Sequence, residues 1–327
     1  MPELHLAGVY GIQEILDYDA SHKETGWNFP RFFAFRERLP EFVLGRPGGT
    51  RPAQGSVLLV LNLNEKAWVD IEAFLPYYPH KVLVQMEAYL GWEIAYRQAE
   101  RFDMFVNFDP TYAHHPGFVR LRLPYDPRWP SSHRDRRGLS ALKLQWRHSK
   151  RALMDLSTWW ARPRRKKAAL ISTLNKGERY QIRLDVARRW PHEIDVYGAG
   201  WPADLPNYRG LSVSKLATLR RYSHAIVFEN QRQPGYITEK LLDCLVAGTV
   251  PIYWGAPDVR ESVPAGALIE FEREDVPIGE ILVDAVDCAQ RRAIIHRVRK
   301  DILREYRPEG FFRVVETAVR AGLGGSL

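Results

Sequence analysis

The chain has 327 residues, a formal net charge of +8, and 12% aromatic residues, among them ten tryptophans. That is enough apolar and aromatic material for two domain cores, and it excludes a globally disordered chain. The charge excess is local: Arg128–Lys167 holds thirteen Lys/Arg against two Asp/Glu and the remainder is slightly acidic, so no chain-wide nucleic-acid footprint is required.

The two cysteines, Cys244 and Cys288, form no close metal-binding pair and no disulfide framework. The N-terminal MPELHLAGVYGIQEILD lacks the basic and long apolar regions of a signal peptide. No stretch approaches the run of about 20 apolar residues that a membrane span needs. These features lead us to expect a cytoplasmic protein.

Leu4–Val9 reads as a first strand. Asp17–Arg38 is polar and aromatic, and Pro30 allows a helix from Arg31 onward. Gly45–Gly55 is a glycine- and proline-rich loop. Val57–Leu61 is a continuous apolar run, as in a buried parallel strand. There follow a short helix over Trp68–Leu75, a strand over Lys81–Met86, a helix over Gly91–Phe102, and strands over Asp103–Phe108 and Phe118–Leu123. Alternating strands and helices indicate an α/β domain. Glu87 stands just beyond the VLVQM strand, where ligand groups collect in parallel sheets; a solvated loop carboxylate is the plainer alternative.

Pro124–Pro130 marks the exit from this domain. Trp146, Trp159 and Trp160 interleave with the basic run, and Leu142–Leu156 can be partly helical. RPRRKK at Arg162–Lys167 is either a solvated junction or a surface that holds the chain against an anionic bilayer. Beyond it come a strand over Ala168–Ser172 and a helix over Tyr180–Trp190. Next are a strand over Ile194–Tyr197, closed by Gly198–Gly200, and a helix over Val213–Tyr222.

The most informative stretch is Ala225–Pro257, AIVFENQRQPGYITEKLLDCLVAGTVPIYWGAP. Ala225–Phe228 is a strand, Glu229–Gly235 a loop, and Thr238 caps a helix whose apolar face is Leu241, Leu242, Leu245 and Val246. Gly248 ends that helix and Val250–Tyr253 is the next strand. Lys240 in the first turn is unhelpful to the helix dipole, unless an anion binds beside the free amides; a solvated surface lysine is the alternative. Downstream, Ala267–Phe271 reads as a strand, and Ile278–Val286 and Arg291–Tyr306 as helices.

FEN followed by GYITEK and PIYWG resembles the donor-binding signature of the alpha-1,3/1,4-fucosyltransferases, glycosyltransferase family 10, and DVYGAG extends the likeness. The chain looks like a bacterial-type, soluble member. The resemblance implies an α/β glycosyltransferase B fold, two Rossmann-like domains facing a cleft. Expected are an acceptor domain over 1–127, a basic linker or surface segment over 128–167, a donor domain over 168–290, and a terminal helical region over 291–327 that packs back on the first.

The implied reaction is inverting transfer of L-fucose from GDP-fucose to a saccharide hydroxyl, with GDP as product. The implied acceptor is N-acetylglucosamine, linked alpha-1,3, in a lactosamine-like or lipopolysaccharide glycan. The family's phosphate-binding arginine, in STLNKGER, maps onto Arg179, and its TEK lysine onto Lys240. Its donor pocket suggests Asn230, Tyr236 near the nucleotide or fucose, and Glu239 on ribose or fucose hydroxyls. Each also has a structural alternative: a solvated charge for Arg179, a loop tie for Asn230, packing beside Trp254 for Tyr236, helix-end stabilisation for Glu239. Glu87 maps onto the family's acceptor base, with QMEAY a loose match. The aromatics of Asp17–Arg38 suit core packing or acceptor binding.

No cofactor or metal is required by this reading. His114–His115 is an adjacent pair without coordination spacing, and Asp109 in NFDP stands alone. Serine elbow and GxGxxG patterns are missing, since VYGAG lacks the full dinucleotide motif. The expected partner is a glycan or glycoside acceptor. The basic run could add peripheral contact with the inner face of an anionic membrane, and no specific nucleic acid is expected. Alternatives are a glycosyltransferase with another nucleotide-sugar donor or a small-glycoside acceptor, and a non-catalytic carbohydrate- or nucleic-acid-binding protein.

Overall fold

The computed structural model describes residues 1–9, 12, 15–16, 34–48, 51–125, 163–175, 178–212, 214–271 and 277–323. It divides into two compact α/β units. Among the described residues no helix is long and apolar enough to cross a membrane.

Unit 1 comprises Met1–Pro124, Gln233–Tyr236 and Tyr306–Leu327. Its strands are β1 (Glu3–Gly8), β2 (Val43–Gly45), β3 (Val57–Leu61), β4 (His80–Gln85), β5 (Met104–Asn107) and β6 (Phe118–Arg120). They form one parallel sheet in the order β2-β1-β3-β4-β5-β6. The apolar run of β3 is wholly buried because both sheet faces are covered. Helix α1 is Phe35–Arg38. Leu58, Val60, Leu83 and Phe105 on one face pack under α2 (Glu65–Ile71) and α3 (Glu93–Arg97). Asn64 caps α2 by accepting the Ala67 N–H at 2.8 Å, so the helix starts at Glu65, three residues ahead of the expected Trp68. The single helix expected over Gly91–Phe102 is instead α3 followed by a 3₁₀ turn, Ala99–Arg101.

Unit 2 comprises Tyr125–Arg232 and Ile237–Glu305. Its strands are β7 (Arg165–Ile171), β8 (Ile194–Tyr197), β9 (Tyr222–Phe228), β10 (Val250–Trp254) and β11 (Ile269–Glu270). They too are parallel, in the order β11-β10-β9-β7-β8. One face buries Ala168, Leu170, Ile226 and Ile252 against α4 (Glu178–Arg189) and α7 (Ile278–Val283). Against β9 and β10 packs α6 (Glu239–Ala247), which in turn meets α5 (Lys215–Leu219) and α8 (Ala285–Glu305).

Two strands begin earlier than the apolar pattern predicts: β7 at Arg165 and β9 at Tyr222, where these two residues pair. The cause is tertiary. Buried Asp195 of β8 gathers Arg165, Lys167 and Arg209 and accepts the Tyr222 hydroxyl at 2.9 Å, so charged residues join the sheet. The helix expected over Val213–Tyr222 accordingly shortens to α5, capped by Ser214. Part of RPRRKK is thus strand rather than junction. Arg164, just before the strand, donates to the Tyr222 and Ala247 carbonyls at 3.2 and 2.8 Å, while the basic run before Pro163, with Leu142–Leu156, and the aromatics before Ala34 lie outside the described residues.

After α8 the chain breaks at Arg307, and Pro308 opens α9 (Pro308–Arg320) in unit 1. Its Phe311, Phe312, Val315 and Ala318 are buried, it packs on β4 and β5, and His80 Nε2 bonds the Ala318 carbonyl at 2.8 Å.

Candidate functional site

In unit 2 the relevant groups gather where parallel strands end and a helix begins. β9 delivers Phe228, Glu229 and Asn230. Helix α6 starts one residue after Thr238, whose hydroxyl accepts the Lys240 N–H at 3.3 Å. Gly248, at φ +63°, closes the same helix in the left-handed conformation. Both caps fall where the sequence places them.

Glu229 joins the two motifs. The residue is 1% exposed, and its side chain accepts the Thr238 N–H at 2.9 Å and the Thr238 hydroxyl at 2.7 Å. Lys240 Nζ lies 3.5 Å from Glu229 Oε2, 3.6 Å from Glu239 Oε1 and 3.2 Å from Thr238 Oγ1. Arg183 of α4, itself buried, donates to the Glu229 carbonyl at 3.1 Å and to Ser172 Oγ, beyond β7, at 2.7 Å. Two strand ends and two helices are thereby tied together by charge-assisted bonds.

The electrostatics follow from these partners. Burial alone would raise the Glu239 carboxyl, but Lys240 and Lys215 outweigh it and hold it down at about 2. Burial would lower the Lys240 ammonium; Glu239 and Glu229 reverse this and raise it. For Glu229 burial wins, and the carboxyl moves up despite Lys240 and Thr238. Lys240 is therefore a firmly held cation, its side chain 24% exposed, and Glu239 an anion with 38% of its side chain exposed. Deeper in the unit, Lys215 pairs with Asp243 at 2.9 Å, and Tyr125 donates to the same carboxylate at 2.7 Å. A cavity of about 20 Å³, room for about one water, is lined by Ser172, Lys215, Lys240 and Cys244 together with strand residues.

Glu239 and Lys240 thus sit side by side in one turn, and half-buried Asn230 follows Glu229 directly. Arg179 lies in the first turn of α4, and its side chain is outside the described residues. Tyr236 groups with unit 1, where its buried ring meets Phe108 at 5.1 Å in a small cluster with Ala88. Trp254 meets Phe228.

Glu87, half-buried, follows β4 in unit 1. The main chain around it is fixed by side chains. Asn62 accepts the Met86 N–H at 2.6 Å, and Asn107 donates to the Gln85 carbonyl at 2.7 Å. Tyr96 and Gln85 donate to the Glu87 carbonyl at 2.7 and 3.2 Å. Gln233 accepts the Tyr89 N–H at 2.7 Å. Asn62 itself holds a left-handed φ of +54°, a strained conformation kept where the surroundings over-determine it. Asp109 is no second acid here: Thr111 and Gln233 occupy both of its oxygens. Of the histidine pair, His115 is buried on the Ala99 and Phe102 carbonyls and His114 is exposed.

Sequence reasoning passed over Glu229, Arg183, Gln233 and Asn62. Only Glu229 carried a signal, as the middle residue of FEN nine positions before Thr238.

Residues 161–276 match the model of the glycosyltransferase family 10 (fucosyltransferase) C-terminal region. A fucosyltransferase-like protein of Arabidopsis thaliana is 38% identical over 98 residues, 30% of this chain and 18% of that protein. The alpha-(1,3)-fucosyltransferase FucT of Helicobacter pylori is 46% identical over 67 residues, 20% of this chain and 13% of that protein. The chain therefore aligns with less than a fifth of the length of either relative. A crystal structure of an alpha1,3-fucosyltransferase with GDP-fucose superposes with a TM-score of 0.59 at 15% identity, covering 97% of this chain and 90% of that one. At that identity the likeness is one of fold, the two-domain α/β fold of the glycosyltransferase B class. The family match spans the FEN, TEK and PIYWG residues and the Glu229–Lys240 network they build, so the likeness to glycosyltransferase family 10, the fucosyltransferases, is carried by this segment of unit 2.

Proposed function

We propose that the chain is an inverting fucosyltransferase that moves L-fucose from GDP-fucose to a saccharide hydroxyl. The observation that carries this reading is the start of α6, where a partly exposed Lys240 ammonium stands at the positive end of a helix, held there by Glu229 and Glu239. Lys240, with Arg179, would neutralise the diphosphate as it departs. Glu239, ionised and partly exposed, would accept bonds from sugar hydroxyls, and Asn230 would complete the donor contacts. Tyr236, buried on Phe108, would act by shaping its loop rather than by offering a face to the nucleotide.

In the chemical step the acceptor oxygen forms a bond to the anomeric carbon. The bond from that carbon to the diphosphate oxygen breaks, its electron pair leaving with GDP, and the hydroxyl proton passes to Glu87. The finer reading is alpha-1,3 transfer to N-acetylglucosamine in a lactosamine-like or lipopolysaccharide glycan; the names of the relatives support the alpha-1,3 part of it. An acceptor panel with GDP-fucose, followed by linkage analysis of the product, tests both levels. Absence of GDP-fucose consumption, with turnover of another nucleotide sugar, would replace the donor assignment. Absence of any turnover would return the chain to a binding role.

A further inference from the structure

Beside Glu87 the chain holds an aromatic side chain in the open. Tyr89 is 38% exposed and Leu90 50% exposed, on a turn whose backbone is locked by the bonds to Met86, Glu87 and Tyr89 described above. The Tyr89 ring is backed by Tyr96 at 5.3 Å, and Tyr96 by Tyr112 at 5.3 Å. Tyr96 is fixed in turn by its hydroxyl bond to the Glu87 carbonyl. The turn is open at Gly91, which has φ +86° and where a Cβ would meet nothing within 4 Å. The exposed Tyr89 ring, backed by the buried Tyr96 and two residues from a carboxylate, is an aromatic face held in one place beside Glu87.

We propose that Tyr89 is the stacking platform of the acceptor sugar, taking the C–H face of a pyranose while the hydroxyls at its rim stay wet. This rests on the glycosyl-transfer reading for the identity of the ligand as an acceptor. The chemistry is that of a tyrosine ring, an apolar body with a polar tip, rigid because its neighbours hold it. Polar recognition alone would not need the ring. Loss of the hydroxyl should therefore matter less than loss of the face.

The test uses the full chain and N-acetyllactosamine as probe, titrated by NMR with and without GDP, alongside GDP binding by calorimetry. Tyr89→Ala should weaken saccharide binding and raise the acceptor KM about tenfold. Tyr89→Phe should restore binding. Tyr77→Ala, an exposed tyrosine on another turn of unit 1, should behave as wild type. If Tyr89→Ala loses GDP binding, and so has not folded, Tyr89→Leu takes its place with the same expectation. Wild-type saccharide affinity in the Ala or Leu variant overturns the platform. So does a Phe variant as weak as Ala, or a wild-type chain that binds no N-acetyllactosamine. The donor reading fails separately: Tyr89-dependent saccharide binding without GDP-fucose consumption would keep the platform and discard fucosyl transfer.

Discussion

The Glu229 carboxylate accepts both the N–H and the hydroxyl of Thr238, at 2.9 and 2.7 Å, while Lys240 stands 3.5 Å away. One buried acid thus caps a helix, anchors the strand before it and balances the cation proposed to meet the diphosphate. Removing one member of a buried charged set leaves the others uncompensated. Glu229→Ala should destabilise the chain by about 3–5 kcal/mol. Glu229→Gln, which keeps an acceptor for Thr238, should cost less. Urea unfolding followed by tryptophan fluorescence measures both; wild-type stability in the Ala variant would remove the clamp.

Lys240→Met tests the cation itself. A charge-assisted bond contributes about 1.5–3 kcal/mol, so the GDP dissociation constant should rise roughly ten- to hundredfold. Calorimetry with GDP on the folded variant decides it, and an unchanged dissociation constant would move diphosphate binding elsewhere. The same variant should also lose stability, because Glu229 stays buried without its ammonium.

Much of this was legible in the chain. The caps Thr238 and Gly248, the β3 and β8 strands and the α/β alternation were readable because local pattern and tertiary outcome agree there. The early starts of β7 and β9 were not, because Arg165 and Lys167 enter a sheet only through Asp195, some thirty residues away. The side-chain bonds fixing the Glu87 turn escaped for the same reason: Asn62, Tyr96, Asn107 and Gln233 are polar residues whose partners only the fold brings near. Tyr236 was read as a ligand contact or a Trp254 neighbour. Its burial on Phe108 depends on Gly235, whose left-handed φ of +73° lets the loop pass within 2.2 Å (ideal Cβ to oxygen) of the Phe108 carbonyl.

Gly198, in the DVYGAG segment, has φ +125°, and a Cβ there would stand 2.0 Å from the Ser172 carbonyl oxygen. The conformation alone costs an L side chain about 1–3 kcal/mol, and the overlap with backbone must be relieved as well. Gly198→Ala should therefore lower the unfolding midpoint by at least that equivalent. It should also weaken GDP binding, since Ser172 holds Arg183 and Arg183 holds Glu229. A variant with wild-type stability would show that the two loops move apart freely.

His224 gives the fold a pH dependence. It is fully buried on β9 with Nδ1 on Ser223 Oγ, and burial lowers it from 6.5 to about 4, outweighing the opposite pull of Asp287. Between these values the unfolded chain takes up a proton that the folded chain refuses. The stability is therefore complete above 6.5 and is lost as pH falls toward 4. The loss is at most about 3 kcal/mol. Unfolding of wild type and His224→Asn across this range should converge at the acidic end, and parallel curves would contradict the assignment.

Glu87→Gln is the sharpest test on the acceptor side. The bonds described above that fix its turn use the Glu87 carbonyl and its neighbours' main chain, so the substitution should leave the turn in place. GDP affinity should be unchanged, because the proposed polar donor groups Arg179, Asn230, Glu239 and Lys240 lie in unit 2. With no acceptor for the hydroxyl proton, kcat should fall roughly 10²–10⁴-fold, and the acidic limb of the pH–rate profile should vanish with it. A Gln variant that turns over at the wild-type rate would transfer the base role to another group. One that instead loses GDP binding would show that Glu87 serves the donor.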